Sequence, residues 1–457
     1  MSTELWPVHG VIKEKAFDLD GRLTMIHDHG WLGHTQHYNS SNEIVSIENW
    51  SRPNYNQQFG YDARSRLTSV TSPSGNQAFE YDANGNRTRN VWAANMPYVI
   101  DPNSNRVVSE HISYTYDGQG NRATQSWGGS TATYQYDAFN QLKSVSRDFS
   151  STYNSPGNWT TQTYPAGVTN YTTNALGQRI SKAGATSVSR FVYGSQNTLL
   201  TEYTNGLWTS YIWLGNEPIA MVRNNQLFFI HNDHLGRPEV VTDSANSARW
   251  VAANYAFDRA VLSDSMGGLN LGLPGQYYDA ETGFWYNGFR DYDSRVGGYL
   301  QSDPVGLSAG LNTYSYVSGN PITRVDPFGL TQCDVDFAME FARTIEGQTV
   351  PTSVLRMEFR EGHAGRTWHP NDPTNPVPGQ FTVGLNSRFW GRLTRADLDD
   401  LFEAIVHEGD HIAQPEEMFL VDTPGRDAHH EQLTTRAFQT AVKYRDAYRS
   451  QLKCACP

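Results

Sequence analysis

Charge is scarce in this chain. Only 18% of its 457 residues are Asp, Glu, Lys or Arg, and the 35 basic residues are outnumbered by 47 acidic ones. A net charge of −12 without a basic cluster disfavours tight binding to phosphate backbones, so no nucleic-acid partner is expected. No apolar run approaches the roughly 20 residues that a membrane-spanning helix needs. Met1-Ser-Thr-Glu-Leu-Trp6 lacks the basic start and apolar centre of a signal peptide, so secretion without one is expected. Cysteine is nearly missing: Cys333, Cys454 and Cys456 are the whole complement. Three thiols make no disulfide framework, and free thiols are expected.

What the chain has instead is turn and strand chemistry. Its 39 Gly and 25 Tyr accompany many Asn, Ser and Thr, a profile of short strands and tight turns rather than helical bundles. An internal repeat carries most of it. Phe59-Gly-Tyr-Asp-Ala-Arg-Ser-Arg-Leu67, Tyr81-Asp-Ala-Asn-Gly-Asn-Arg87, Tyr116-Asp-Gly-Gln-Gly-Asn-Arg122 and Tyr136-Asp-Ala-Phe-Asn-Gln-Leu142 follow one plan. Weaker copies begin at Phe17 and Thr173. Each unit reads as a hairpin: an aromatic strand end, a turn in which Gly or Asn takes positive φ, then a return strand. Stacked hairpins have no wide core of their own, so neighbours must supply the burial. Residues 1–227 are therefore expected to be a β-repeat shell. His231, Asp233 and His234 in the next stretch are ligand-like in type, and a structural role is expected for them.

The tract Arg290 to Leu330 contains Arg-Asp-Tyr-Asp-Ser-Arg, then Gln-Ser-Asp303-Pro-Val-Gly-Leu, Gly319-Asn-Pro and Asp326-Pro-Phe-Gly-Leu330. It closely resembles the end of the core in bacterial Rhs (rearrangement hotspot) proteins, and the repeats resemble their YD repeats. The resemblance covers residues 1–330 and implies a hollow β shell, with residues 228–330 as its closing, self-cleaving core. It also implies a cut after Leu330 by an aspartyl-protease-like centre of Arg290, Asp291 and Asp303, with Asp293 and Asp326 as rivals. Two close carboxylates cannot both ionise, so one can serve as acid while the other activates water. A strand residue walls off about 16 Å² (~3.3 Å rise by ~4.8 Å spacing), too little for 330 residues to enclose the 127 that follow. An open half-shell or a piece of a longer Rhs shell is expected.

Past Leu330 the pattern changes to helical periodicity. Leu398, Leu401, Phe402, Ile405, Val406 and Ile412 form a stripe at i, i+3, i+4 spacing, started by Thr394 and stopped by Pro415. On it stands His407-Glu408-Gly409-Asp410-His411, an HExxH motif: two imidazoles on one helix face can hold Zn2+, with Glu408 as general base. The segment resembles the zinc-metallopeptidase helix, which implies a small α+β, zincin-like domain over residues 331–457. Glu431 is the leading third ligand, with His430 the alternative and His429 behind it. His363 and His369 fall in a Gly- and Pro-rich segment, 362–378, read as a loop. Phe381-Thr-Val-Gly-Leu385 reads as an edge strand that could bind extended peptide. The whole is expected to be a polymorphic toxin made in the bacterial cytoplasm and acting on a protein substrate in a target cell. A cognate immunity protein and a type VI-like secretion apparatus are the implied partners. A metal-dependent nuclease or other hydrolase toxin, or a non-enzymatic binding shell, are the alternatives.

Overall fold

The computed structural model describes residues 2–8, 11–28, 30–91, 95–148, 150–154, 161–185, 187–194, 197–304, 306 and 310–330. Beyond them it describes three strands, Ser353–Met357, Gly365–Trp368 and Thr382–Asn386. The chain forms two units, one of residues 1–18 with 22–331 and one of 19–21 with 332–457.

Among the described residues of the first unit, every strand pairs antiparallel. Ten strands from Ser2–Val8 to Asn95–Pro97 pair in strict chain order, and sixteen more from Val99–Ile100 to Arg259–Asp264 make a second sheet in chain order. That second sheet steps over one side hairpin, Ser151–Asn154 with Thr161–Tyr164. A four-stranded sheet from Gln276–Asp279 to Gly298–Tyr299 follows. The strand Gln226–Asn232 runs through the expected division at 227/228, so the repeat region and the closing region share one sheet.

The repeat explains this order, because every unit closes on itself locally. Asp62 Oδ1 accepts the backbone N–H of Arg64 and Arg66, and Asp62 Oδ2 takes the Arg66 guanidinium 2.7 Å from Nε. The same Asp-to-(i+2) and (i+4) pattern recurs at Asp82, Asp117, Asp137 and Asp233, and Asn174 copies it with an amide oxygen. The third residue after the acid has positive φ in each: Ser65, Gly85, Gly120, Asn140, Gly236 and Gly177. The strands slip by one residue there, the bulged hairpin that a left-handed turn residue produces. The aromatic ahead of the acid reaches back to the preceding unit: Tyr61 OH donates to Ile44 O, Tyr116 OH to Val107 O and Tyr136 OH to Arg122 O. Trp213 does the same with its indole N–H, to Leu199 O.

The fifth residue after the acid is buried in each, and apart from Pro238 it is of two kinds. Leu67 and Leu142 are buried in apolar clusters. Arg87, Arg122 and Arg179 are equally buried and reach the closing segment. Arg87 donates to the carbonyls of Ser294 and Arg295, Arg122 Nη1 lies 2.6 Å from Asp293 Oδ2, and Arg179 pairs with Asp279. Three repeat arginines thus pin the sheet that carries the site.

In the second unit, Thr382–Asn386 lies between Ser353–Met357 (parallel) and Gly365–Trp368 (antiparallel). This corrects two expectations. The strand expected near 381–385 is central, so both its edges are occupied and it offers no free edge to a peptide. Residues 365–368, expected within a loop, form a strand because Arg366 and Thr367 pair with Gly384 and Val383.

Candidate self-cleavage centre

Strand Arg290–Asp293 is fully buried, and its alternation decides the site. Arg290 and Tyr292 face one side; Asp291 and Asp293 face the other.

On the first side, Arg290 is fully buried, with its guanidinium 3.6 Å from the centre of the Tyr299 ring. Its Nη2 lies 2.8 Å from Asp303 Oδ2 and 3.3 Å from Asp326 Oδ2. Nε donates to the Gly329 carbonyl, and Nη1 donates to Thr313 O at 3.1 Å. Asp326 accepts the backbone N–H of Leu330 on Oδ1 at 2.9 Å and the Tyr299 hydroxyl on Oδ2 at 2.6 Å. One guanidinium therefore bridges two carboxylates and the peptide leading into Leu330. Burial pushes the Asp326 carboxyl up to about 6; Arg290 and the Tyr299 hydroxyl oppose that rise, and Asp303 adds to it.

The backbone of Pro327 to Gly329 is held as tightly as the side chains. Phe289 N–H donates to Phe328 O at 2.9 Å, and Asn287 Nδ2 donates to Asp326 O at 2.9 Å. Gly275 and Gly288, both at positive φ, lie against Pro327 and Phe328, where a side chain would strike the carbonyl oxygens.

On the second side, Asp291 is buried and takes a hydrogen bond from Gln301 Nε2 at 2.6 Å on Oδ2, while Oδ1 has no hydrogen-bond partner among the described residues. Burial pushes it up to about 6, Arg179 and the Gln301 bond oppose the rise, and Asp279 and Glu281 add to it. Asp293 is the reverse case: although burial opposes it, Arg295 and Arg122 hold its carboxyl down at about 2.

The structure thus brings Arg290, Asp303 and Leu330 of the sequence-derived site together with Asp326, named there as a rival, and sets Asp291 on the opposite face of the strand. Asp293 is committed to ion pairs with Arg122 and Arg295. Tyr299, Asn287, Gly275 and Gly288 were not anticipated. The strand period itself could have flagged the separation, since adjacent residues of a strand cannot share a face. His231 is bonded to Asp28 and Thr242, Asp233 to Arg237, and His234 to the Ile322 carbonyl, the structural roles expected of them. His407, Glu408, His411, Glu431 and His430 lie outside the described residues.

Fold and site together define a class: a YD-type β shell with a buried arginine that joins two carboxylates and, with one of them, holds the backbone of Gly329 and Leu330. Residues 18–322 match the model of the Teneurin YD-shell family, and the chain belongs to that family. The double-stranded DNA deaminase toxin A of Burkholderia cenocepacia (strain H111) is 27% identical over 66% of this chain and 22% of its own length. The probable deoxyribonuclease RhsA of Dickeya dadantii (strain 3937) is 36% identical over 23% of this chain and 7% of that protein. The crystal structure of TcdB2-TccC3-Cdc42 shares the fold, with a TM-score of 0.57 and 20% identity over 70% of this chain and 18% of that one. The chain spans about a fifth or less of the length of each of them.

Proposed function

We propose that residues 1–330 are the closing part of a toxin shell that cuts its own chain after Leu330 and frees residues 331–457 as an enzymatic effector. The observation that carries the reading is the bridge from Arg290 to Asp303, Asp326 and the Gly329 carbonyl. In the step, water attacks the Leu330 carbonyl carbon and gives a proton to the ionised carboxylate of the pair. The carbonyl electrons move to oxygen, and the buried Arg290 guanidinium, bonded to the preceding Gly329 carbonyl, supplies the positive charge that stabilises it. The C–N bond to Thr331 breaks as the other carboxyl passes its proton to the leaving nitrogen. The two carboxyls are Asp303 and Asp326; Asp291, across the strand, shapes the charge balance around the sheet. Purified wild type should run as two fragments on a denaturing gel and in an intact-mass spectrum, whereas Asp303→Asn and Asp326→Asn should stay whole. Complete cleavage in both variants, with loss of it in Asp291→Asn alone, would return the role to Asp291.

For the effector we propose a zinc metallopeptidase. His407, His411 and Glu431 (or His430) are a donor set suited to Zn2+, which would lower the pKa of bound water and polarise a carbonyl. Glu408 would serve as the base. The names of the relatives favour a second reading, a nuclease or deaminase effector, since two are called a DNA deaminase toxin and a probable deoxyribonuclease. The family match ends at 322, ahead of residues 331–457, and therefore does not describe the effector. Zinc bound at one equivalent in both wild type and Glu408→Gln, with proteolysis lost only in the variant, supports the peptidase. DNA cleavage or deamination by the released fragment refutes it. A cognate immunity protein, further shell sequence and a type VI-like delivery apparatus complete the proposed setting, with action in a target cell. No helix among the described residues is long and apolar enough to cross a membrane.

A further inference from the structure

The Asp326 carboxylate is held by more than Arg290. Tyr299 stacks its ring beneath the Arg290 guanidinium and places its hydroxyl 2.6 Å from Asp326 Oδ2. Asn287 Nδ2 stands 2.9 Å from the same hydroxyl and 2.9 Å from the Asp326 main-chain oxygen. An amide nitrogen can only donate, so the Tyr299 oxygen accepts from Asn287 and its own proton is directed at Asp326. Asn287 cannot turn its amide over without losing both acceptors. Tyr299 is buried, flanked by Tyr292 and Tyr316 at ring separations of 6.0 and 5.8 Å, and burial beside Asp326 keeps its phenol protonated far above the neutral range. The charged and titratable groups facing Asp326 are thus Arg290, Asp303, Tyr299 and Tyr316.

We infer that Tyr299, steered by Asn287, is a positioning residue for self-cleavage: its phenolic proton orients Asp326 and favours the ionised carboxylate. The inference rests on Asp326 belonging to the cleaving pair. Asp326 Oδ2 is shared by Tyr299 and Arg290, which leaves Oδ1 on the Leu330 N–H and fixes the carboxyl plane against the backbone to be cut. A donor to the charged form lowers a carboxyl pKa, and its removal raises it. The ring keeps its place under Arg290 when only the hydroxyl is removed.

The test follows self-cleavage of the full chain made by cell-free synthesis, as the rate of fragment appearance on gels between about pH 5 and about pH 8. Tyr299→Phe should slow cleavage by about 10- to 100-fold and move the acid limb of the rate profile up by about one pH unit. Incorporating 3-fluorotyrosine at 299, a stronger donor of nearly unchanged size, should move the limb down. It decides the matter should Tyr299→Phe lose its near-UV circular dichroism. Asn287→Ala, which frees the hydroxyl to turn, should fall between wild type and Tyr299→Phe. Wild-type rate and limb in Tyr299→Phe, or a slower rate with an unmoved limb in both Tyr299 variants, would overturn the inference. Asp303→Asn and Asp326→Asn run alongside separate the two failures. If they cleave like wild type, the parent reading falls; if they are inert while the Tyr299 variants match wild type, only the role of Tyr299 falls.

Discussion

Adding one methyl group at Gly288 should disable the proposed self-cleavage without touching any ionisable group. Gly288 sits at φ +63°, a conformation that costs a residue with a side chain on the order of 1 kcal/mol. More telling is its surroundings: a β-carbon there would lie against the Phe328 carbonyl oxygen, well inside the about 3.4 Å of ordinary contact. Relief requires the Phe328 peptide to retreat by roughly 1 Å, a displacement that can cost about 100-fold in rate when it misplaces a reacting bond. The retreat also stretches the 2.9 Å bond from Phe289 N–H to Phe328 O, and it pulls at Gly329, whose carbonyl Arg290 holds. Gly288→Ala should therefore cleave about 100-fold more slowly while its thermal midpoint falls by only a few degrees. The assay is a time course of fragment appearance, paired with a melt monitored by near-UV circular dichroism. Gly288→Ser should behave alike, since the first atom added is the same. Cleavage of Gly288→Ala at the wild-type rate, in a folded chain, would refute the claim that the clamped backbone of residues 327–329 is a requirement of the reaction.

Arg122→Met should destabilise the first unit by about 3 kcal/mol in urea melts, because Asp293 would stay buried with Arg295 as its remaining partner. A loss below about 0.5 kcal/mol would show the pair to be dispensable. The pH dependence has a definite sign in acid. Asp293, held near 2 when folded, contributes stability that is present above its ordinary value of 3.8 and lost as pH falls through about 2. Asp291, raised to about 6, contributes in the opposite sense: its contribution is present below 3.8 and lost as pH rises through about 6. Asp291→Asn should accordingly flatten the loss of stability between about pH 4 and about pH 6, measured by denaturant midpoints, and an unchanged slope would contradict that assignment.

The hairpin repeat was legible because its determinants are local. An acid, a residue at positive φ and a polar side chain lie within five positions, and they satisfy one another without a distant contact. The strand within 362–378 was missed for the opposite reason: pairing with Thr382–Asn386 overrode the glycines and prolines around it. The alternation of a strand at 290–293 was also present in the sequence, but the resemblance to a known tract led Arg290 and Asp291 to be read as partners.

By itself, then, the sequence determined the units: antiparallel hairpins in chain order, the closing tract, and a change of character at Leu330. It also offered Arg290, Asp303 and Asp326 of the candidate cleavage centre, though not Tyr299 or Asn287. Only the tertiary structure decided which carboxylates meet Arg290, because Asp303 and Asp326 arrive from loops far along the chain while Asp291, next in sequence, is turned away by the pleat. The same holds for the three repeat arginines. Position in the turn directs Arg87, Arg122 and Arg179 inward, but their partners near 279 and 293–295 are set by how the closing segment packs. Burying a charge is tolerable only where a distant partner is delivered to it, and such delivery is a property of the folded chain.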